Sequence, residues 1–366
     1  MRVLVVDQFS DLGGAQNCLL QLLPAMTERG WTVSAALPGN GPLTRSLPST
    51  EICCRPYGRG TKSLGDALHF LFDIRNQQRT ISDLIDKGRV DLVVVNGPRV
   101  LPGVALAAQR RVPVLFHAHN YLDRSWAARI AGMSIRRGVH SVVACSEFVA
   151  APFRTYLRDG QVHVITNASK DMGFRERGFE QPWRIGLIGR IARQKGQVDL
   201  IRAARQLPPT RIVLCGGPAA EAPDYYEESL NLARGLDVEF TGYREDIDAV
   251  LAELDFLVIP SEHEGLPLVM LEAFSAGVIV IAYPTGGVTE VITDGQNGFL
   301  TPECSAEGIV SVVRHLLSAS PAELHRVARK ARHVWEARHT TRTFQQRMLA
   351  LMQQTAFGTA DPQHSR

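Results

Sequence analysis

Apolar runs of strand length alternate with longer helical patterns along this chain. In the first half the runs are Val3–Val6, Thr32–Leu37, Asp91–Val95, Val112–His117 and Ser141–Ala144. From Trp183 the pattern restarts, and the runs are Arg184–Leu187, Arg211–Leu214, Val238–Phe240, Phe256–Ile259 and Val278–Ala282. Alternation of this kind predicts parallel sheets with right-handed crossovers. We therefore expect an α/β protein with two separate sheets, each forming the core of one domain.

A polar stretch without an apolar period lies between the two halves. It runs from Asn167 to Pro182 (NASKDMGFRERGFEQP), and its composition is typical of an interdomain linker. The predicted organisation is a first domain at 1–170, a linker at 171–182, a second domain at 183–335, a helix at 340–356 and a disordered tail at 357–366.

The overall composition narrows the classes of partner. With 366 residues, 45% hydrophobic and 21% charged, the chain has the composition of a soluble protein large enough for two cores. A net charge of +3 gives no basis for a nucleic-acid partner. Six cysteines show no CxxC pair and no metal-ligand spacing, so we expect reduced thiols. Met1 and Arg2 lead directly into a strand without a signal-peptide core, which predicts a cytoplasmic protein.

Two carboxylates stand in the apolar stretch PSEHEGLPLVMLEAFSAGVIV, Glu264 and Glu272. The segment Leu266–Tyr283 has the apolar character of a short membrane span. However, a carboxylate near its centre would cost about 2.5–3.5 kcal/mol, so we reject the span. If both glutamates were helical, they would lie about 12 Å apart along the axis. The carboxylates of a retaining glycosidase are roughly 5–5.5 Å apart, which disfavours a hydrolase without excluding it, because the turn could shorten the distance.

A strand-turn-helix unit explains this stretch better. The strand ends at Ile259, Pro260–Gly265 forms the turn, Pro267 is the first helical position of Leu268–Ala276, and Gly277 is the C-cap. A turn at the carboxyl end of a parallel strand, followed by the amides of a helix start, is typical of a phosphate-binding site.

The E-x7-E spacing of Glu264 and Glu272 within EGLPLVMLEAFSAG, followed by PTGGVTEVITDGQNGFL, resembles the nucleotide-sugar signature of glycosyltransferase family 4, whose members are retaining GT-B enzymes. The resemblance extends over nearly the whole chain. It implies two Rossmann-like, doubly wound parallel-sheet domains facing a central cleft, with the helix at 340–356 packing back on the first domain. It also implies that Glu272 binds the ribose hydroxyls and that Glu264 faces the transferred sugar. The diphosphate and sugar would be bound at Gly265, Leu266, Pro267 and Leu268.

The second half opens with RIGLIGRIARQKG, in which two cations flank a strand end and a helix start. Arg190 follows the strand, and Lys195 precedes a helix beginning at Gly196 or Gln197. Two fixed cations complement a diphosphate and stabilise the charge that grows on it as the sugar leaves. The pair matches the diphosphate clamp of the family, and a surface charge pair is the alternative.

The segments LCGGP and FTGYRED resemble the family's loops that contact the nucleotide base. On this resemblance we expect base contacts from Gly217, Tyr243 and Arg244.

In the first half, the turn DQFSDLGGAQ places Gly13 and Gly14 before a helix predicted at Ala15–Arg29. Glycines let a backbone approach a ligand closely, although a tight turn would explain them equally well. The turn resembles the GGAE-type loop of the family with Gln16 in place of the acid. We therefore expect the glycines to bind the donor and assign no role to Gln16.

The strand ending in PVLFHAHNY carries His117 and His119, which a period of two places on the same side. His119 matches the family's histidine near acceptor and sugar, so we predict that it polarises or orients the reacting groups. A histidine that only packs, or a metal pair at i and i+2, is the alternative; the metal pair has no third ligand nearby in the sequence.

Two predicted helices, Leu64–Ile85 and Ser125–Arg137, carry basic residues among apolar ones, including Arg75, Arg79 and Arg129. Basic amphipathic helices can rest on anionic bilayers, whereas solvated faces are the commoner explanation. Peripheral contact with the inner face of the membrane therefore stays open.

Taken together, the sequence predicts a retaining hexosyltransferase that uses a nucleotide-diphosphate sugar, expected to be UDP-linked. The acceptor would be a glycan, glycolipid or small molecule, as in polysaccharide biosynthesis, and no metal or cofactor is expected. The expected catalytic residues are His119, Arg190, Lys195 and Glu264. A nucleotide-sugar epimerase or a non-catalytic nucleotide-sugar-binding protein on the same fold are the alternatives.

Overall fold

The computed structural model describes residues 1–54, 64–109, 111–121 and 126–358, and its side-chain description excludes 64–71 and 126–128. The chain divides into two compact units. The first is Met1–Thr166 with Arg342–Arg366, and the second is Asn167–Thr341. The disordered tail predicted at 357–366 lies outside the described residues from 359 onward, and the last helix continues to Phe357.

The first unit is built on a parallel seven-stranded sheet with the order β3-β2-β1-β4-β5-β6-β7. Its strands are β1 Arg2–Asp7, β2 Thr32–Leu37, β3 Thr50–Ile52, β4 Leu92–Asn96, β5 Val114–Ala118, β6 Ser141–Ala144 and β7 Val162–Val164. Its helices are α1 Gly14–Glu28, α2 Pro42–Ser46, α3 Leu64–Gly88, α4 Leu101–Ala108, α5 Trp126–Gly138, α6 Glu147–Ala150 and, from Arg342, α13 Thr341–Phe357. The central strands are buried along nearly their whole length, as expected of a sheet covered by helices on both faces.

The register of the three central strands brings three polar side chains to one edge of this sheet. Asp7, the last residue of β1, is the register partner of Asn96, the last residue of β4. Asn96 in turn pairs with His117 on β5. Parallel strands end at the same edge, so this edge is where ligands bind in open α/β sheets.

The second unit is built on a parallel six-stranded sheet with the order β10-β9-β8-β11-β12-β13. Its strands are β8 Arg184–Ile188, β9 Arg211–Cys215, β10 Val238–Gly242, β11 Phe256–Ile259, β12 Ile279–Ala282 and β13 Phe299–Leu300. Its helices are α7 Gln197–Ala204, α8 Pro223–Ala233, α9 Ile247–Glu253, α10 Leu268–Ala276, α11 Ala306–Leu317 and α12 Pro321–Arg338. Because β8 and β11 are neighbours, the segments that follow them meet at one edge.

Helix α10 has the predicted bounds, with one correction at its start. Pro267 is the N-cap and not the first helical residue, since its φ of −69° and ψ of 127° are extended. Gly277 is the predicted C-cap and has a φ of 77°. A Cβ at this position would also lie 2.9 Å from the carbonyl oxygen of Arg175, so glycine is required for both reasons.

The polar stretch predicted as a linker, 171–182, lies within the second unit. Its Arg177 is 8% exposed and donates from Nη2 to Leu251 O at 2.7 Å and from Nη1 to Ala276 O at 3.2 Å. Its Nε also donates to Leu254 O. These carbonyls lie at the C-terminal ends of α9 and α10, where the last carbonyl groups of a helix have no N–H donor from the following turn. The charge of this stretch therefore caps two helices, a use that composition alone cannot distinguish from a solvated linker.

We expect the Arg177→Leu variant to lose about 3 kcal/mol of unfolding free energy, because it removes a buried charged donor from three carbonyls. Leu251 O and Ala276 O keep a backbone N–H donor, whereas Leu254 O loses its only donor among the described residues. Thermal and denaturant unfolding of the full chain would measure the loss. The exposed Arg175, two residues away, provides the control, and Arg175→Leu should unfold like the unchanged protein. Equal stability of the two variants would contradict the capping role.

Within the described ranges, no helix combines the length and the apolar character needed to cross a bilayer. All six cysteines lie in the described residues and none forms a disulfide bond; Cys304 is exposed.

Candidate active site

Lys195 and Glu264 meet at the carboxyl edge of the second sheet. A short 3-10 helix, Arg193–Lys195, follows β8, and the turn after β11 carries Glu264. Lys195 Nζ donates to Glu264 Oε1, and the side chains are 29% and 11% exposed. The backbone oxygen of Glu264 accepts from the N–H of Gly287 at 3.2 Å. Both side chains line one cavity together with Ser261 and Val269.

The second predicted cation is also paired with a carboxylate of the chain. Arg190 Nη1 lies 2.7 Å from Glu221 Oε1 in the segment after β9, and Arg190 O accepts from Gln197 Nε2 at 2.9 Å. Sequence reasoning missed Glu221, since nothing in its local pattern indicates a partner 31 residues away. Arg190 and Lys195, the two residues predicted to bind the diphosphate, are therefore each already paired with a carboxylate.

Glu272 lies on α10 in a partly buried position. Burial raises the pKa of its carboxyl to about 7, while the charge of Lys170 lowers that pKa. Among the described residues, none donates a hydrogen bond to the carboxyl oxygens of Glu272. Lys170 ends the segment VITNASK, which the sequence analysis did not connect with this glutamate.

The start of α10 presents unpaired backbone donors. Within the part of the chain that the structure describes, the N–H groups of Gly265, Leu266 and Leu268 have no acceptor. The turn itself is fixed, because Asn167 Nδ2 donates to Leu266 O at 2.8 Å. Fixed N–H groups at the beginning of a helix favour an anionic ligand.

The three residues predicted to contact the base lie at the ends of β9 and β10. Tyr243 is 70% exposed. Arg244 binds Asp246 through two hydrogen bonds, Nε to Oδ1 at 2.7 Å and Nη2 to Oδ2 at 2.5 Å, which raise the pKa of the guanidinium. A Cβ at Gly217 would meet no atom within 4 Å. The exposed ring and open glycine remain candidates for base contact, whereas the guanidinium is already paired.

A buried hydrogen-bond network occupies the carboxyl edge of the first sheet. His119 Nε2 lies 2.8 Å from Asn96 Oδ1, and Asn96 Nδ2 donates to Asp7 Oδ2 at 2.5 Å. Gln16 Nε2 also donates to Asp7, at 2.9 and 3.1 Å from the two oxygens. Burial raises the pKa of the Asp7 carboxyl to about 6 and lowers that of the His119 imidazole to about 4.

The two histidines lie on the same side of the strand end, as predicted, with ring centroids 3.9 Å apart. His117 is buried, and its ring lies 6.3 Å from that of Phe344. Its Nε2 has no hydrogen-bond partner among the residues that the structure describes. Burial holds the pKa of this imidazole well below its usual value. In the described ranges, no group of three or more His, Cys, Asp and Glu side chains could hold a metal ion.

The glycine turn begins α1 with its backbone accessible. Gly13 is the N-cap, with an extended φ of −157°, and Gly14 is exposed. Gln16 points inward to Asp7, so an acid at this position would set two carboxylates against each other in a buried site. This contact explains why an amide can replace the acid of the family pattern.

The basic residues noted on α3 and α5 are exposed. They are Arg75, Arg79, Arg129, Arg136 and Arg137. Exposure is equally expected of a solvated face and of a face that meets lipid. Ser125, the predicted first residue of the second helix, lies outside the described residues.

Two family models together match most of the chain. Residues 12–168 match Glycosyltransferase Family 4, and residues 170–334 match Glycosyl transferases group 1.

The D-inositol 3-phosphate glycosyltransferase of Corynebacterium aurimucosum is 32% identical over 154 residues, which are 38% of this chain and 36% of that protein. The sulfoquinovosyl transferase SQD2 of Arabidopsis thaliana is 28% identical over 275 residues, 65% of this chain and 52% of that protein. The chain thus spans about a third to a half of the length of these relatives.

Solved structures match the fold over nearly the whole chain. Anabaena HepE, crystallised in complex with UDP, has a TM-score of 0.81 at 24% identity and covers 96% of this chain and 99% of that chain. Sucrose-phosphate synthase from Thermosynechococcus elongatus has a TM-score of 0.78 at 19% identity and covers 97% and 98%.

The two parallel sheets with flanking helices therefore form the GT-B fold, as predicted. With both family models matched in order along it, the chain belongs to the family 4 and group 1 glycosyltransferases.

Proposed function

We propose that this protein transfers a hexose from a UDP-sugar to a glycan, glycolipid or small-molecule acceptor, with retention of the anomeric configuration. The observation that carries the proposal is the convergence of Lys195, Glu264 and the unpaired amides of the α10 turn at the edge formed by β8 and β11. A cation, a carboxylate and fixed N–H donors together meet the needs of a sugar diphosphate.

In this proposal the diphosphate binds Lys195, Arg190 and the amides of Gly265, Leu266 and Leu268. As the bond to the sugar breaks, negative charge grows on the departing phosphate. Fixed cations and N–H groups stabilise that charge more than they stabilise the ground state, and this difference lowers the barrier. Glu264, once released from Lys195, would bind hydroxyls of the transferred sugar.

The nucleoside would extend from the diphosphate toward Glu272 and the ends of β9 and β10. A carboxylate that accepts no hydrogen bond from the described part of the chain is suited to accept two from ribose hydroxyls. Tyr243 and Gly217 offer an exposed ring and open backbone for the base. The choice of UDP is supported by the structures of HepE, which hold UDP, glucose and UDP-glucose.

The acceptor would bind the first unit, in the cavity lined by Gln8, Asn96, His119, Asn120 and Tyr121 among others. Amide side chains in such a cavity suit a hydroxyl-bearing ligand. The ring of Tyr121 stacks on that of Phe148, with centroids 4.8 Å apart, and offers an apolar surface beside those amides.

The departing phosphate would take the acceptor proton, so no separate general base is required. His119 stays neutral at pH 7 because its pKa is about 4. Charge neutralisation by Arg190 and Lys195 makes a metal unnecessary in this proposal. We expect an excess of EDTA to leave the rate unchanged.

A panel of UDP-, GDP- and ADP-sugars with candidate acceptors tests the proposal, with nucleotide release and product stereochemistry as the measurements. UDP release that depends on both acceptor and donor supports it. Conversion of the donor without acceptor would indicate an epimerase, and nucleotide binding without turnover would indicate a binding protein. No release with any sugar and no thermal shift with any nucleotide would reject the proposal.

A further inference from the structure

The orientation of the Asn96 amide follows from its contact with Asp7. Asn96 Nδ2 donates to Asp7 Oδ2 at 2.5 Å, and an ionised carboxylate can only accept. The other carboxylate oxygen, Oδ1, accepts from the N–H of Phe9 at 2.8 Å and from Gln16 Nε2 at 2.9 Å. The NH2 end of the Asn96 amide therefore faces Asp7, and its carbonyl end faces His119.

This orientation determines which nitrogen of His119 carries the proton. Nε2 lies 2.8 Å from Asn96 Oδ1, and an amide oxygen cannot donate, so Nε2 must be protonated. A neutral imidazole has a single N–H, which leaves a lone pair on Nδ1. Burial opposes a second proton on this imidazole, since it lowers the pKa of His119 to about 4.

Nδ1 is open to a ligand. No described residue donates a hydrogen bond to it. The side chain of His119 is only partly buried. His119 itself lines the cavity that also contains Asn96 and Asn120.

We propose that Asp7 and Asn96 are positioning residues that hold His119 as the Nε2–H tautomer, so that Nδ1 accepts a hydrogen bond from a hydroxyl group of the bound sugar or alcohol. A lone pair repels an anionic phosphate oxygen, so the ligand at this point must carry an O–H or N–H group. The assignment of this ligand rests on the proposed function, whereas the tautomer is a property of the chain alone.

The tautomer can be measured by long-range ¹H–¹⁵N correlation NMR on protein labelled with ¹⁵N-histidine at neutral pH. The His119 signals are assigned by their loss in His119→Gln. We expect a protonated Nε2 and an unprotonated Nδ1. A protonated Nδ1 or an imidazolium in the unchanged protein would overturn the proposal.

The Asp7→Asn variant tests the cause of this tautomer. Its carbonyl oxygen should take the position that accepts from Phe9 and Gln16, so that the new NH2 group faces Asn96. The Asn96 amide then turns, its NH2 group faces the imidazole, and His119 changes to the Nδ1–H tautomer. Asp83→Asn, the same substitution at an exposed site on α3, should leave the spectrum unchanged. An unchanged His119 pattern in a folded Asp7→Asn protein would overturn the role of Asp7.

Asn96→Ala provides a second test if Asp7→Asn does not fold. Without the amide oxygen, Nε2 loses its partner, and we expect a mixture of tautomers. A pure Nε2–H pattern would overturn the role of Asn96.

Steady-state kinetics test whether a hydroxyl group of the ligand donates to His119 Nδ1. Asp7→Asn should lower kcat/KM for the acceptor about tenfold, the effect of one hydrogen bond, while the affinity for UDP stays the same. A tautomer change with unaltered acceptor kinetics would overturn the hydroxyl contact. If the unchanged protein neither binds UDP nor transfers sugar, the proposed function fails, and the tautomer result still decides the positioning role.

Discussion

Replacing Lys195 by alanine should lower kcat by about 10²–10³-fold while donor affinity falls much less. In the proposed function the ammonium stabilises negative charge that is greater on the departing diphosphate than on the bound donor, so its loss should affect kcat most. Arg190→Ala should act in the same direction, with a smaller effect because the Arg190 side chain is 37% exposed and that of Lys195 is 29% exposed. Steady-state kinetics together with UDP titration separate the two quantities.

The chain offers a matched control on the same 3-10 helix. Arg193 is 58% exposed and pairs with Asp224 and Glu228, so Arg193→Ala should retain full kcat. A Lys195→Ala enzyme with the kcat of the control would reject leaving-group stabilisation by this lysine.

Glu272→Gln should weaken UDP binding and stabilise the free protein at the same time. The neutral amide accepts hydrogen bonds from ribose less strongly than a carboxylate, and we expect a loss of affinity of about 10–100-fold. Stability moves the other way, because burial raises the pKa of the Glu272 carboxyl from 4.5 to about 7.

The sign of the stability change follows from proton binding. Between pH 4.5 and about 7 the folded state binds more protons at Glu272 than the unfolded state, so this carboxyl lowers stability as pH rises. The penalty is absent at low pH and reaches about 1–3 kcal/mol above the folded pKa. Glu272→Gln removes it, so the melting temperature should exceed that of the unchanged protein at pH 8 and match it near pH 4.5.

Glu262→Gln, an exposed carboxyl in the same turn region, provides the control and should leave the affinity for UDP unchanged. Unchanged UDP affinity in Glu272→Gln would contradict the ribose contact. An unchanged melting profile would contradict the burial of its charge.

The sequence predicted the fold well where long apolar runs and strong caps coincide. Helix α10 has the predicted bounds because Pro267 fixes φ just before the helix, and Gly277 adopts the left-handed conformation that ends it. The short edge strands β3, β7 and β13 were not predicted, since two or three residues at a sheet edge carry no clear period. The charged stretch around Arg177 was assigned to a linker because its carbonyl partners lie 74 or more residues away.

For the candidate site, too, the sequence indicates residues in local motifs but not the residues that the fold brings beside them. Local motifs predicted Lys195 and Glu264 as site residues, and the structure brings these two side chains into contact across 69 residues. Asp7 and Asn96 were missed, although both end strands and His119 follows the next one. The strand order β1-β4-β5, which no local pattern contains, is what makes these three neighbours.

The ion pairs of Arg190 and Lys195 should make donor binding only weakly dependent on salt. Each cation carries a counter-charge from its own chain, so the empty site is close to electrically neutral and does not accumulate mobile anions. In the proposed function, a diphosphate would exchange with Glu221 and Glu264 and would release few ions to the solvent. Binding of UDP should then depend only weakly on ionic strength, and chloride or inorganic phosphate should compete poorly with it.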